Sequence, residues 1–186
     1  MPQQVHQETN MALTFNHQTN EISNDGVITV GGVAVGGDNS PKWYGSRGVI
    51  GGSQDHSNVI QYITISTASN ATDFGDLIEG VQGTAALSNG TRGVFAGGYK
   101  SGWSVYEKIT YITFATTGNA QLFADLTYAQ GKYSSCSNGI RGILVFGAWS
   151  STGKLSYITI DTLGTNADFG DLSVMRADPS SCADAT

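Results

Sequence analysis

The sequence has little charge, and its charged residues are scattered. Asp, Glu, Lys and Arg make up 13% of the 186 residues, and the net charge is −6. An average globular chain is about 25% charged. The nine Lys and Arg residues do not cluster, which argues against a surface that follows nucleic-acid phosphates. We therefore expect no nucleic-acid partner.

Long apolar runs are also lacking. No run approaches the ~20 apolar residues that a membrane-spanning helix needs, so we expect no membrane insertion and a soluble chain. The opening residues, MPQQVHQETNMALTF, have neither the basic region nor the apolar core of a secretory signal.

Side chains suited to metal binding or catalysis are few. The three histidines are His6, His17 and His56, and no two of them have the spacing of metal ligands. Asp55 precedes His56, but an isolated pair in a loop is far more often solvated than catalytic. The DFGD phrases lack the partner motifs of a kinase and do not match an EF-hand calcium loop. We expect no enzyme activity, no metal and no cofactor.

Glycine, by contrast, is abundant at 25 residues, and Val, Ile, Tyr, Phe and Thr occur in short runs. No window of about 11 residues places its apolar residues at helical spacing. Strand-forming residues between glycine-rich turns favour β-strands. The composition therefore predicts an all-β fold.

Three phrases recur in one order, at steps of 45 to 49 residues. In the first copy they are RGVIGG, YITIST and TDFGDL. One residue of each phrase, present in all three copies, serves below as its marker. The markers are Arg47, Arg92 and Arg141, then Tyr62, Tyr111 and Tyr157, then Phe74, Phe123 and Phe169. Three independent phrases indicate a tandem repeat. We divide the chain into an N-terminal segment, 1–46, and repeats 47–91, 92–140 and 141–186.

Each repeat is predicted to form four short strands. An apolar strand ends in glycines, the strand that begins at the Tyr alternates apolar and hydroxyl side chains, and the acidic phrase follows. A small-residue strand such as KYSSCS then leads to the next Arg. The sequence SNG at Ser88 and Ser137 predicts a hairpin there, because Asn-Gly accepts the positive φ angles of tight turns.

This order of segments resembles that of kelch repeats, and VFAGG at 94–98 is the best match. Kelch repeats usually carry a Trp shortly after the Tyr strand, where this chain has Phe74, Phe123 and Phe169. The resemblance covers residues 47–186 and implies kelch-like β-propeller blades of four strands each. It implies little about activity.

The repeated acidic phrase has a structural explanation. Its Phe supplies an apolar side chain that packs one blade on the next. Asp76 precedes Arg92 by 16 residues. Asp125 precedes Arg141 by the same 16 residues. The equal interval predicts a repeated Asp–Arg contact, and the alternative is unrelated surface charges of little energetic weight.

The two ends of the repeat region are predicted to complement each other. Asp171 has no Arg at this interval, and Arg47 has Gly31 where the acid would stand. Because three blades are too few for a propeller ring, we expect a homo-oligomer, a dimer or a trimer, in which SSCADAT joins a partner's first blade. The alternative is that PKWYGS completes the first blade locally and the blades stack as an open array.

The two cysteines, Cys136 and Cys182, occupy one position in successive copies, where the first copy has Leu87. A position that accepts Leu or Cys is expected to be apolar and buried. Equivalent positions in adjacent blades need not lie within disulfide reach. We expect neither a disulfide nor a nucleophile.

Residues 1–46 do not follow the repeat. The stretch ALTFNHQTNEISNDGVITVGG alternates apolar and polar residues around TNE and NDG, which predicts one or two hairpins. It resembles short β-rich pieces near the start of bacteriophage fibre and virion surface proteins. The repeats, with phrases such as YITI and ATDFGDL, also resemble those of phage structural proteins. The resemblances imply an N-terminal β arm that docks on other virion proteins.

The loops after the glycine doublets carry candidate ligand-binding residues. They are Tyr99 and Trp103 in one copy, Trp149 in the next, and Asp55 and His56 in the first. Equivalent propeller loops emerge on one face, where such side chains suit carbohydrate or protein recognition. The alternative is that each Trp covers its own blade or packs at a subunit contact.

The resemblances together predict a non-enzymatic bacteriophage virion protein on the tail or capsid surface. It would be a tail-fibre or tail-appendage component or a capsid-decoration protein, with a host-surface glycan as the candidate ligand. One alternative is a cellular carbohydrate- or protein-binding propeller. Another is an enzyme on a propeller scaffold, which needs converging titratable residues.

Overall fold

A computed structural model describes residues 45–129, 131–147 and 153–183, together with the backbone of four short strands between residues 14 and 34. Within these residues every regular element is a β-strand except one short 3-10 turn, and there is no α-helix. The all-β prediction is therefore confirmed. The chain divides into two compact units, Met1–Ser40 and Pro41–Thr186.

The first unit contains two short antiparallel pairs. β1 (Thr14–Asn16) pairs with β2 (Glu21–Ser23), and β3 (Thr29–Val30) pairs with β4 (Val33–Ala34). The hairpin predicted around TNE is confirmed, and the second strand pair follows NDG in the chain. The NDG turn lies outside the described residues, and the docking role stays a prediction.

The second unit contains three antiparallel sheets. The first sheet has three strands in chain order, β5 (Arg47–Ile50), β6 (Val59–Thr64) and β7 (Thr72–Asp76). The second sheet has four, β8 (Ala85–Ser88), β9 (Arg92–Ala96), β10 (Lys108–Thr113) and β11 (Gln121–Asp125). The third also has four, β12 (Tyr133–Ser137), β13 (Arg141–Phe146), β14 (Lys154–Thr159) and β15 (Ala167–Asp171).

The sheets do not coincide with the predicted repeat boundaries. Each small-residue strand, β8 or β12, pairs with the Arg strand that follows it. The predicted boundaries place it in the preceding repeat, so the second and third sheets each combine strands from two repeats. The reason is local, because the SNG hairpin joins the two strands and Gly90 and Gly139 adopt the positive φ angles that it requires. The predicted hairpins are thus confirmed.

Each sheet has a front face, which carries the marker Phe, and a back face, which carries the Ile that follows the marker Tyr. The front face of the first sheet packs on the back face of the second, where Phe74 and Ile60 meet Phe95 and Ile112. The front face of the second sheet packs on the back face of the third in the same way. The core therefore consists of two equivalent layers between three stacked sheets.

The marker Phe residues confirm their predicted packing role where a following sheet exists. Phe74 and Phe123 are 2% and 3% exposed, and each marker Tyr meets the Phe of its own sheet edge-on, with ring centroids 6.1 to 6.2 Å apart. Phe169 has the same edge-on contact with Tyr157 but is 50% exposed. The difference arises because no described sheet follows the third.

Because both faces of the second sheet are covered, its Tyr strand does not show the half-buried alternation that the sequence predicts. Ile109 and Ile112 are buried on opposite faces, and Thr110 is buried beside them. The three sheets of the described residues do not close a ring, and the propeller prediction stays untested beyond the all-β sheets themselves.

Candidate functional site

The marker Arg residues hold the stack together through partners that differ from those predicted. Each Arg lies over the marker Tyr ring of its own sheet, with the guanidinium carbon 4.6 to 4.9 Å from the ring centroid. Arg47 Nη1 also donates to the Phe114 carbonyl at 2.8 Å. Arg92 Nη1 donates to the Ile160 carbonyl at 2.6 Å. Both acceptors belong to the following sheet.

The expected Asp–Arg contact is therefore corrected. The described residues contain no Arg–Asp ion pair, and two of the acids pair instead with a Lys that faces them across the sheet. Lys108 contacts Asp125 at 2.6 Å, and Lys154 contacts Asp171 at 2.8 Å. In the first sheet, the residue opposite Asp76 is Val59. The equal sequence interval thus reflects equivalent sheet positions and not contact.

These Lys–Asp pairs are exposed, so they contribute little to folding. A hydrogen bond from Lys154 to Asp171 raises the pKa of Lys154, and the negative charge of Asp171 raises it further. Each pair joins the outermost strand of its sheet, β11 or β15, to the strand beside it.

We predict that the Arg contacts between sheets can be measured with a matched pair of variants. Arg92→Lys should lower the free energy of unfolding by about 1–2 kcal/mol, because Lys loses the planar stacking on Tyr111 and the directed bond to the Ile160 carbonyl. Arg141→Lys should cost less, because Arg141 has its Tyr157 contact but no carbonyl acceptor within the described residues. Urea denaturation measures both. Equal losses in a monomeric sample would contradict the role of the carbonyl bond.

The burial predicted for the position that Leu87, Cys136 and Cys182 share is only partly observed. Leu87 is buried, Cys136 is half-buried and Cys182 is exposed, and both cysteines are free thiols. The expectation of a buried position was therefore wrong for Cys182. Burial depends on the sheet in front, since Leu87 packs against Gly142 of the third sheet and Cys182 has no such neighbour among the described residues.

The loop after β9 presents an aromatic pair. Tyr99 and Trp103 meet edge-on with ring centroids 5.7 Å apart. Tyr99 is half-buried, and its ring lies so close to Gly131 that a side chain at that position would overlap it. Trp103 is 71% exposed and follows Gly102, and both adopt a positive φ. The loop therefore holds the Trp103 ring in solvent against the Tyr99 ring, which packs on Gly131 in the connection between β11 and β12.

The loop after β5 carries the predicted polar pair. Asp55 is exposed, and His56 adopts a positive φ of 56° with its backbone packed against Gly80. His56 Nε2 is buried with no hydrogen-bond partner among the described residues. No hydrogen bond joins the side chains of His56 and Asp55, and the expectation that they have no acid–base role stays a prediction.

Both loops form backbone hydrogen bonds with residues 77–84, which connect β7 of the first sheet to β8 of the second. Ser53 N donates to the Val81 carbonyl at 2.9 Å. Tyr99 and Gln82 exchange two backbone hydrogen bonds of 2.8 and 2.9 Å. A shallow cavity of about 300 Å³ is lined by residues 51–54 and 82–84. The two loops thus share one side of the molecule, while Trp149 lies outside the described residues and its role stays a prediction.

One buried polar group in the loop after β9 was not predicted. The Tyr106 hydroxyl is buried with no partner among the described residues, and burial raises the pKa of Tyr106, with the nearby Glu79 carboxylate raising it further. The sequence contained no signal for this group, since Tyr106 lies outside the repeated phrases.

The described residues contain no group of three or more His, Cys, Asp or Glu side chains arranged to hold a metal ion. They also contain no helix with the length and apolar character needed to cross a bilayer.

Comparisons with known proteins leave the family of this chain open. No protein-family model matches it, and no curated protein matches it. The kelch-like and bacteriophage resemblances therefore depend on the quoted motifs alone.

Proposed function

We propose that this chain is a non-enzymatic structural protein of a bacteriophage particle, a tail or capsid surface component that presents exposed loops on a rigid stack of β-sheets. The observation that carries the proposal is that the recurring residues form the packing contacts, whereas the candidate ligand-binding residues lie in loops. The recurring Arg, Tyr and Phe side chains pack or hydrogen-bond within and between sheets. The loops after β5 and β9 carry different side chains, Asp55 and His56 in the first and Tyr99 and Trp103 in the second.

The aromatic loop is the part of this scaffold best suited to bind a ligand. A solvent-exposed Trp103 seated on a fixed Tyr99 offers a flat apolar face with little conformational entropy to lose. Such a face suits stacking on a sugar ring. The proposed ligand is a host-surface glycan, and the proposed docking segment for other virion proteins is residues 1–46.

A Trp103→Ala variant tests the ligand-binding part of this proposal. On a glycan array, binding should become about tenfold weaker or be lost, because the exposed stacking face is removed. The free energy of unfolding should hardly change, since Trp103 lies outside the core. Leu163→Ala is the matched control, because Leu163 is also exposed but lies in the β14–β15 turn at the opposite end of the sheets. Equal effects of both variants, or no binding by the unaltered chain, would contradict glycan recognition.

The virion part has a separate test. Proteomics of purified particles of a phage that encodes this chain should detect it at a fixed copy number. Its presence in the cell lysate and absence from particles would contradict the proposal. The alternative of a cellular carbohydrate- or protein-binding module would then be favoured, because the same loop geometry serves that role.

A further inference from the structure

Each end of the sheet stack exposes one half of a contact that the chain already makes twice. At one end, the back face of the first sheet exposes Ile50, Ile63 and Ile65. Their equivalents in the second sheet, Phe95, Ile112 and Phe114, contact the front face of the first sheet. An apolar surface of this kind on a β-sheet marks an interaction site.

At the other end, no described sheet covers the front face of the third sheet. Phe169 is exposed there, and Val174 and Met175, in the segment after β15, are exposed as well. The backbone hydrogen bond that joins neighbouring sheets also lacks a donor at this end, among the described residues. Gly118 N donates to the Phe74 carbonyl at 2.7 Å, and Gly164 N donates to the Phe123 carbonyl at 2.9 Å. The Phe169 carbonyl receives no such bond from a described residue.

The edges of the two end sheets match as well. β5 is flanked by β6 alone among the described strands, whereas β9 and β13 each have a strand on both sides. A cleft of about 250 Å³ lies beside β5, between it and β8, with Gly93 in its wall. An inner strand of the first sheet would run here, since in the next layer Leu87 of β8 occupies the equivalent place against Gly142.

Segment 179–183 continues from the third sheet toward the same kind of position. Ser181 bonds Ser134 of β12 at 2.6 Å, and Asp178 pairs with Lys132 at 2.9 Å. In the same manner, Ser135 of β12 bonds the Ala86 carbonyl of β8 at 2.7 Å. The segment therefore runs beside β12 as β12 runs beside β8, but no Arg strand of the described chain pairs with it.

We infer that a second copy of this chain docks head to tail, with its first sheet covering the front face of the third sheet and its β5 pairing with segment 179–183. The occupant is a second copy because this chain carries both halves of the contact, and the two internal layers show how those halves fit. The contact is heterologous, so it forms a closed ring if its rotation closes and a filament if it does not.

The internal registers specify the details of the contact. Leu87 lies opposite Val94, and Cys136 lies opposite Ile143. Cys182 of one copy is therefore placed opposite Val49 of the other. Arg141, which has no carbonyl acceptor among the described residues, then donates to the Ile65 carbonyl of the second copy, as Arg92 donates to Ile160. This inference does not depend on the proposed function.

The first test uses two variants that each disable one end. Ile65→Asp alters the back face of the first sheet, and Phe169→Asp alters the front face of the third; both side chains are exposed, so folding should be preserved. Light scattering should give at least twice the chain mass for the unaltered protein and a monomer for each variant alone. An equimolar mixture should form a 1:1 heterodimer, because one intact contact remains.

The matched control is Leu122→Asp, an exposed position of the second sheet where the other two repeats carry Asp73 and Asp168. It should assemble like the unaltered chain. A monomeric unaltered chain at micromolar concentration would overturn the inference, as would assembly that survives either end variant. A mixture that stays monomeric would overturn the head-to-tail arrangement.

The second test reads the register. In Val49→Cys, mild oxidation with diamide should link the new thiol to Cys182 of another copy and give a covalent dimer on a non-reducing gel. The dimer should disappear when Cys182→Ser is added, and Val59→Cys, on the neighbouring strand, should not form it. A fast-migrating, internally linked monomer would overturn the inference, because it would show that Cys182 reaches β5 of its own chain.

Discussion

Phe123→Ala should lower the free energy of unfolding by about 3–5 kcal/mol, the range observed when a buried Phe is reduced to Ala. Phe123 is 3% exposed and lies in the layer between the second and third sheets, with Leu126, Leu144 and Ile158 around it. Those neighbours belong to different sheets, so they cannot collapse onto the gap without moving one sheet against another. Urea denaturation followed by circular dichroism measures the loss.

Phe169→Ala is the matched control for this prediction. It removes the same side chain from the same place in the repeat, with the same edge-on Tyr contact. Because Phe169 is half exposed, a monomeric sample should lose only about 1 kcal/mol. Equal losses at low protein concentration would contradict the stacked-sheet account of the core. A Phe169 loss that increases with protein concentration is expected if a second copy covers this face.

Gly75→Ala should destabilise the protein by about 2–4 kcal/mol, for two reasons that can be separated. Gly75 adopts a φ of 146°, which costs a residue with a Cβ about 1 kcal/mol or more. An added Cβ would also overlap the backbone carbonyl of Gly118, in the turn of the second sheet that bonds Phe74. Backbone cannot rotate away as a side chain can, so the first two sheets must separate locally.

Gly170→Ala isolates the cost of placing a residue with a Cβ at a positive φ angle. Gly170 holds the equivalent position in the third sheet and adopts a φ of 129°, but an added Cβ would meet no atom within 4 Å. Its loss should be about 1 kcal/mol, and the difference between the two variants measures the sheet-to-sheet contact. The second sheet has Ala124 here and does not adopt a positive φ. A Gly170→Ala loss as large as that of Gly75→Ala would contradict the overlap argument.

The amino-acid sequence alone was sufficient to predict the strands and the SNG hairpins of the repeats. Alternating Val, Ile and Thr beside glycines favour strands over helices, and an Asn-Gly turn joins strands that are neighbours in sequence. The repeat was also visible, because each copy must supply the same Arg, Tyr and Phe to the same contacts. The aromatic loop could be named in advance for a similar reason, since it follows a recognisable glycine doublet.

The Asp–Arg prediction failed because a sequence interval was read as contact. Asp125 and Arg141 are separated by the interval that also separates Asp76 and Arg92, yet Asp125 pairs with Lys108 across its own sheet. The Arg partner was unpredictable, because a backbone carbonyl such as that of Ile160 has no residue-type signal. Tyr106 escaped notice because its burial arises from packing against the layer between the first two sheets.

The chemistry of the repeat was therefore contained in the order of its residues, as local turn geometry and side-chain periodicity are properties of short stretches. Which side of each sheet is covered was decided only by the stacking of one sheet on the next. Phe74, Phe123 and Phe169 are the same residue in nearly the same phrase, and the first two are buried while the third is half exposed. Burial is a property of what lies across the layer, and no local pattern encodes that.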